Sequence, residues 1–533
     1  MSLVAGMDIE QTSATESAYV VRGDASPDAI TTSLQSLLPT RHRPIVRQRF
    51  TLLDTFDGRV RRAGARVTQR GVNGTSTVGW QTRRGESLVT ARLKHTVNFA
   101  WDLPEGPLQR VLAPVIGVRR LLAQADAEEY GSLLEILDGR GKTIARLWIE
   151  SGRARLPRSG NTWQSLPTVI TLTGLRGYDD VYERLVPVIL SRPGIESCPE
   201  GLDGLILRQV GAPERGNMSS PRVDLAPAIR ADVGARRIHL ALLGILMANE
   251  PGVRANLDTE FLHDFRVAIR RTRSLLRQIK HVFPTEVVEH FSMGFSWVGR
   301  LTGPPRDLDV LILALREKRA EVSAGDLKAL TGLLSVMRQR EHDRVVEALD
   351  SARYRRLVSE WKAFLERPAP AEPEVRNAYR RLVDVVSQRA WRLSRRIARS
   401  AKTIDERTAP ERLHEVRIDA KKLRYLIDIT TPCYDAADLE RILDGLKKLQ
   451  RVLGDFNDAV VQEKRLLECG ETVYAAGRPA SALLTLGRLA EQSRQCRECI
   501  RQQVLAGLAL FRADDTRSAC RRAFKGPHAK GHV

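Results

Sequence analysis

Aromatic side chains are scarce. Phe, Trp and Tyr make up 5% of the 533 residues. That counts against a surface built to stack unpaired bases, as single-stranded nucleic-acid binders do. Cysteine is scarce too, with six in all, too few for a disulfide framework. The only Cys-x-x-Cys runs from Cys496 to Cys499, inside a helical pattern with no second pair nearby. A zinc site needs further ligands, so no metal site is expected there. No stretch approaches the ~18 apolar residues of a membrane-spanning helix. Residues 1–20 have no basic start followed by an apolar core and do not read as a signal peptide. The expectation is a soluble, cytoplasmic protein with no cofactor and no membrane partner.

What the chain does have is cationic charge. Lys and Arg number 85 against 64 Asp and Glu, a net of +21. So large a surplus points to a polyanionic partner. Apolar residues at 42% permit sizeable cores. The length suggests two to four domains. The charge is uneven: residues 1–219 carry a net of +5 and residues 220–533 a net of +16.

The first region reads as α+β. Alternating segments at 43–53, 66–70, 87–96, 133–137, 143–149 and 169–173 suggest strands, separated by turn signals such as Asp57-Gly58 and Asn73-Gly74. Helices are expected at 28–38, after Ser26-Pro27, and at 179–191. The Gly-, Pro- and Ser-containing stretch 211–222 reads as a linker.

The second region reads as almost all helix, with 3.6-residue periodicity at 227–249, 258–282, 285–301, 307–321, 326–350, 374–400, 409–429, 436–452, 456–470 and 480–513. A Pro-rich spacer at 367–373 divides it into halves of 223–366 and 374–515. A basic tail at 516–533 is expected to be disordered.

The two halves repeat at a constant offset of 151 residues. His263, Arg266, Arg270 and Arg273 recur as His414, Arg417, Lys421 and Arg424; Arg300, Gly303, Asp307 and Val310 recur as Arg451, Gly454, Asp458 and Val461. At about 100° per residue, each set of four polar residues falls within roughly 80° of one helix face. Such a stripe repels itself by a few tenths of a kcal/mol per neighbouring pair. It persists if the face is well solvated or if an anion neutralises it. The duplication favours the anion, because the same positions are cationic or His in both copies. Val267, Ile269, Leu275 and Leu276, with Ile418, Leu423, Leu426 and Ile427, supply the core-facing side.

Asp307 and Asp458 each follow a Gly-containing turn and read first as helix N-caps. A salt bridge to a stripe arginine is the second reading, and a catalytic carboxylate a distant third. The two histidines could bond phosphate oxygens or tie helices together.

The paired His-x-x-Arg-x-x-x-Arg/Lys helices, with the Arg306-Asp307-x-Asp309-Val310 and Leu449-Gln450-x-x-Leu453-Gly454-x-x-Asn457-Asp458 segments, resemble the CHAD family, the conserved histidine α-helical domain. The resemblance covers about 220–515. It implies two pseudo-symmetric helical bundles around a basic groove, non-enzymatic binding of inorganic polyphosphate, and association with polyphosphate granules. It implies a binding set of His263, Arg266, Arg270, Arg273, Arg300, Arg306, His414, Arg417, Lys421, Lys422, Arg424 and Arg451. The chemistry suits that ligand: polyphosphate has closely spaced charge and no bases, and Arg offers bidentate phosphate contacts.

The first region (1–210) resembles a CYTH domain, an antiparallel β-barrel or tunnel. Phe50 to Thr55 resembles that family's Asp-Thr turn, Gly64 to Arg70 its arginine strand, and Arg92-Leu93-Lys94 its basic strand. Active members carry a Glu-x-Glu-x-Lys strand that holds the metal. Residues 17–22 stand in that place without it, and the late strand 169–173 has no Glu. Triphosphate hydrolysis needs a divalent metal on carboxylates. The resemblance therefore implies a degenerate CYTH-like domain with no catalytic residues. The alternatives are metal-dependent triphosphatase or cyclase activity in this region, or nucleic-acid binding. The oligomeric state is not readable from the sequence.

Overall fold

A computed structural model describes residues 16–23, 25–72, 75–82, 88–157, 162–212, 223–372, 374–431, 434–477 and 480–525. The chain divides into two compact units, Met1–Asn217 and Met218–Val533. Most of the expected linker and the end of the basic tail lie outside the described residues.

The first unit is built on one antiparallel sheet. Its strands are β1 (Glu16–Val21), β2 (Thr40–Asp54), β3 (Arg66–Val72), β4 (Thr75–Gln81), β5 (Leu88–Leu93), β6 (Leu122–Leu137), β7 (Thr143–Arg155), β8 (Gln164–Gly174) and β9 (Ile195–Ser197). The spatial order is β5-β4-β3-β2-β6-β7-β8-β1-β9. Its helices are α1 (Pro27–Gln35), α2 (Arg59–Arg62), α3 (Pro107–Ile116), α4 (Asp179–Leu190) and α5 (Gly201–Gln209). The Ser26 hydroxyl caps α1 by accepting from the Ala29 amide, with Pro27 in the first turn, as the sequence suggested.

Apolar residues of alternating positions on β6, β7 and β8, such as Leu134, Leu147 and Leu172, pack with Leu34 of α1 and Ile189 of α4. Val67, Val78 and Trp80 pack with Leu108, Leu112 and Ile116 of α3. The expected barrel is not formed, because the sheet ends at β5 and β9 without closing. The edges explain this. β9 has three residues, too few for a long ladder, and β5 leaves Leu88 exposed.

The second unit is helical. Its elements are α6 (Ala231–Arg254), α7 (Thr259–Gln278), α8 (Thr285–Leu301), α9 (Gly303–Glu317), α10 (Ala324–Asp350), α11 (Ala352–Glu366), α12 (Leu382–Thr403), α13 (Pro410–Thr430), α14 (Ala436–Ala475), α15 (Ala480–Arg512) and α16 (Asp514–Lys525). The 151-residue offset reappears in three dimensions. It maps the start of α6 onto that of α12, α7 onto α13, and α8 onto α14. Arg230 and Arg381, also 151 apart, form an antiparallel bridge. The Ala231 amide donates to the Arg380 carbonyl at 2.8 Å, and the Leu382 amide donates to the Ile229 carbonyl at 2.9 Å. Each bond is the repeat image of the other, so a pseudo-twofold axis passes between them.

Three expectations need correction here. First, α14 is one helix of 40 residues, with no turn at Gly454-Asp455-Phe456-Asn457. The first copy breaks at the corresponding place because Pro304 and Pro305 open α9. The second copy has no proline there and runs on. Asp458 is therefore mid-helix and not an N-cap. Asp307 also lies inside its helix, where Thr302 is the N-cap residue. Second, part of the basic tail is ordered. α16 buries Ala519, Cys520, Ala523 and Phe524, an apolar face that offsets the ordering of its arginines. Third, Ile418 does not face the core; it is 37% exposed.

Trp361 anchors the first copy. It is fully buried, with the rings of Phe291, Phe295, Phe364 and His239 around it. Burial pushes the His239 imidazole down to about 3, so it packs there as a neutral ring. Trp361→Ala is expected to lower stability by about 3–5 kcal/mol, read from denaturant unfolding of the full chain. A second core joins the copies, with Leu311, Ile312, Leu315, Leu330 and Leu334 against Leu466, Val473, Leu486 and Leu489.

Candidate anion-binding site

α7 and α13 carry the two cationic stripes. Asp258 caps α7 by accepting from the amides of Glu260 and Phe261. Gly252 of α6 seats Phe261, since a Cβ there would lie 2.1 Å from its ring. Pro410 opens α13. Their buried faces, including Phe265, Ile269 and Leu276 on α7 and Leu423, Leu426 and Ile427 on α13, leave both stripes on the opposite side.

Between them lies a cavity of about 690 Å³. It is lined by residues related through the repeat: Arg266 with Arg417, Arg270 with Lys421, Ser274 with Tyr425, Arg306 with Asn457, Asp307 with Asp458, and Val310 with Val461. Nine Arg or Lys side chains line it against two Asp, so its cations are in large excess.

Of the twelve residues expected at the site, eight line the cavity: His263, Arg266, Arg270, Arg273, Arg306, Arg417, Lys421 and Lys422. Four stand outside its lining. Arg300 and Arg451 are exposed on α8 and α14. Arg424 bonds Asp428 at 3.0 Å. His414 is exposed, with Nδ1 2.5 Å from Asn457 Oδ1, and so ties α13 to α14 beside the cavity. Sequence reading missed Arg277, Gln278, Tyr425, Gln462 and Arg465. Arg277 was findable, because it continues the α7 stripe by one turn. Arg465 was not, because its repeat partner is Ala314.

The cations are held unevenly. Arg266 is anchored, donating to the Gly299 carbonyl and the Thr302 hydroxyl, both at 2.9 Å. Arg417, a stripe arginine, meets Asp458 at 3.5 Å, so the salt-bridge reading suits Asp458; Asp307 instead bonds Arg465, which belongs to neither stripe. Arg306 donates to the Thr259 carbonyl at 3.0 Å and stands 3.5 Å from Glu260. Asp309 is buried and pairs with Arg338, which fastens α9 to α10.

The Nε atoms of Arg266, Arg273 and Arg417 and the hydroxyl of Ser274 are buried without a hydrogen-bond partner. Unpaired buried donors carry a desolvation cost, which an acceptor ligand would relieve. Burial, and then the charge of Arg270, push the Arg266 guanidinium down to about 10. Burial, then Arg417 and Arg270, push the Lys421 ammonium down to about 8. Arg273 and Arg417 are lowered by burial as well. The paired cations therefore repel one another across the cavity, and an anion among them would be favoured for the same reason.

The two kinds of cation should separate on mutation. Arg266→Ala is expected to lower stability by about 1–3 kcal/mol, because it strips two hydrogen bonds from the α8–α9 junction. Arg270→Ala has no such bonds to lose. Thermal unfolding of the two variants checks the contrast.

In the first unit, a cavity of about 630 Å³ is lined by Asp54, Arg61, Arg66, Asp203 and Arg208, among others. Arg66, its side chain 10% exposed, donates to Glu129 at 2.9 Å and stands 3.1 Å from Asp203. Asp54 caps α2, accepting from the amides of Val60 and Arg61. Arg92 and Lys94 are exposed. Among the described residues no group of three or more His, Cys, Asp or Glu could hold a metal ion. Nor is any helix among them long and apolar enough to cross a membrane.

A duplicated helical domain, closing on a cavity lined by paired cations, is the class of protein that fold and site define. Residues 237–467 match the family model of the CHAD domain, and a CHAD domain occupies that part of the chain. Two uncharacterized proteins of Mycobacterium tuberculosis, from strains CDC 1551 / Oshkosh and ATCC 25618 / H37Rv, are each 27% identical over 333 residues. The alignment covers 58% of this chain and 58% of each relative, under two thirds of their length. Among solved structures, a CHAD domain from the plant Ricinus communis is similar over 54% of this chain and 96% of its own, at 24% identity and TM-score 0.47. PptA from Streptomyces chartreusis is similar over 52% and 99%, at 16% identity and TM-score 0.41.

Proposed function

We propose that the protein binds inorganic polyphosphate in the cavity between α7 and α13, without catalysing a reaction there. The observation that carries this reading is the pairing of Arg266 with Arg417 and Arg270 with Lys421 around one cavity, with buried guanidinium donors left unpaired. A linear phosphate chain supplies closely spaced acceptors for such donors. The link between the CHAD family and polyphosphate supports the choice among polyanions. On this reading the protein is cytoplasmic, and binding targets it to polyphosphate granules.

Neutralising several phosphates releases counterions, so affinity should fall steeply with salt. The test is an equilibrium titration of the full chain with long-chain polyphosphate at two salt concentrations. Tight binding with a steep salt dependence is the expected result; absence of binding at low salt contradicts it.

The first unit belongs to the same proposal as a degenerate CYTH-like sheet without triphosphatase activity. Its Arg66 is already engaged by carboxylates, and the Glu-x-Glu-x-Lys strand is missing from β1. Tripolyphosphate incubated with the full chain and Mg²⁺ or Mn²⁺ should release no phosphate. Sustained release that depends on the metal would overturn this part.

A further inference from the structure

The pseudo-twofold axis predicts two equivalent ends to the cavity, yet the side chains there differ. Arg273, Arg277 and Arg300 have as repeat partners Arg424, Asp428 and Arg451. At the α13 end Asp428 bonds Arg424 at 3.0 Å and stands 3.8 Å from Arg271, so one carboxylate holds two cations. At the α7 end the corresponding position is itself a cation, Arg277. Arg273 lies against α8, where a Cβ on Gly299 would come within 3.0 Å of its Nη1, and Arg300 follows directly in the chain. Among the described residues no carboxylate forms an ion pair with Arg273, Arg277 or Arg300.

This end continues onto α12. Gln278, at the cavity wall, accepts a hydrogen bond from Arg389 Nε at 2.7 Å. Burial, then the charge of Arg396, lowers the Arg389 guanidinium below its ordinary value, with Asp419 opposing the shift and Arg392 adding to it. Arg396 is itself taken by Asp419, while Arg392 is exposed. Asp419 on this side is already taken by Arg396 and Lys422, which leaves Arg273, Arg277 and Arg300 without a paired carboxylate among the described residues, whereas on the other side Asp428 pairs with Arg424, the repeat partner of Arg273.

We propose that a flexible linear polyanion longer than the cavity leaves it on one side only, across a platform of Arg273, Arg277, Arg300 and Arg389, while Asp428 closes the opposite side. The proposal rests on the cavity as a polyphosphate site and adds to it a second contact region and a direction. Its ligand class is a long unbranched phosphate chain; a short chain is held by the cavity alone.

The test compares two probes, tripolyphosphate and long-chain polyphosphate, on the full chain. In Arg300→Gln/Arg389→Gln, long-chain affinity should fall about tenfold and the salt slope should shrink by about 0.7 per lost contact. Tripolyphosphate affinity should not change. The Arg300→Lys/Arg389→Lys variant should keep long-chain affinity, which separates charge from folding. Asp428→Asn should raise long-chain affinity by freeing the second side. Equal loss of both probes in the Gln variant, or loss of neither, overturns the platform. Failure of the unaltered chain to bind either probe would instead strike the cavity reading on which the platform stands.

Discussion

Replacing Arg270 and Lys421 together, as Arg270→Ala/Lys421→Met, is expected to weaken polyphosphate binding by at least ~100-fold while leaving the thermal midpoint unchanged or higher. These residues face one cavity from opposite copies of the repeat. Charge-assisted hydrogen bonds contribute about 1.5–3 kcal/mol each, so removing two predicts roughly that loss or more. In the empty protein the same charges repel: Arg270 and Arg417 both press on the half-buried Lys421. Removing them relieves repulsion and desolvation. Affinity and stability should therefore move in opposite directions. A structural role for these cations would move them together, with a lower midpoint. Titration calorimetry and thermal unfolding of one preparation decide between the two.

Raising the pH is expected to weaken ligand binding first through Lys421, held at about 8, before Arg266, held at about 10, follows. Lys421 is held at about 8 by burial and by Arg417 and Arg270, whereas an ordinary lysine titrates near 10.5. A bound anion restores the charged form. Between pH 7 and 9.5 the empty site loses this charge, and affinity should fall by roughly 30-fold if the bound lysine stays protonated. Lys421→Arg should flatten the profile. The sign for folding is opposite. A lysine whose folded value is depressed destabilises the native state fully below about pH 8, and this cost fades as pH rises towards the unfolded value. The unliganded protein should thus gain stability from this group over the pH range in which it loses ligand. Binding titrations across that range read the first effect, and denaturant unfolding without ligand reads the second.

Much of this was legible because the chain says it twice. A single cationic stripe fits a solvated face, but a stripe recurring at constant offset constrains what both copies can do. The periodicity located α7, α8, α13 and most of the other helices, and the repeat pointed to one shared site. What escaped was set by tertiary context. The continuity of α14 depends on the absence of proline, and a glycine mid-helix was read as a turn. Tyr425 and Arg465 line the cavity where the first copy has Ser274 and Ala314, so neither repeat partner carries a charge that marks the position. Arg300 and Arg451 matched perfectly in sequence, yet they lie outside the cavity lining. In the first unit alternation identified segments of β2, β6, β7 and β8 but understated the length of β6, whose 16 residues include Asp126, Glu128 and Glu129. Paired arginines such as Arg155, Arg153 and Arg66 let those acids sit in a strand, and that compensation is invisible to hydropathy.

The most direct measurement is competition on the full chain. Labelled long-chain polyphosphate is bound first, then displaced by unlabelled polyphosphate or by DNA or RNA at matched total charge. A dedicated phosphate-chain site, poor in aromatic rings, predicts displacement by polyphosphate at far lower concentration than by either nucleic acid. Equal displacement by all three would contradict it and reduce the paired stripes to generic electrostatics.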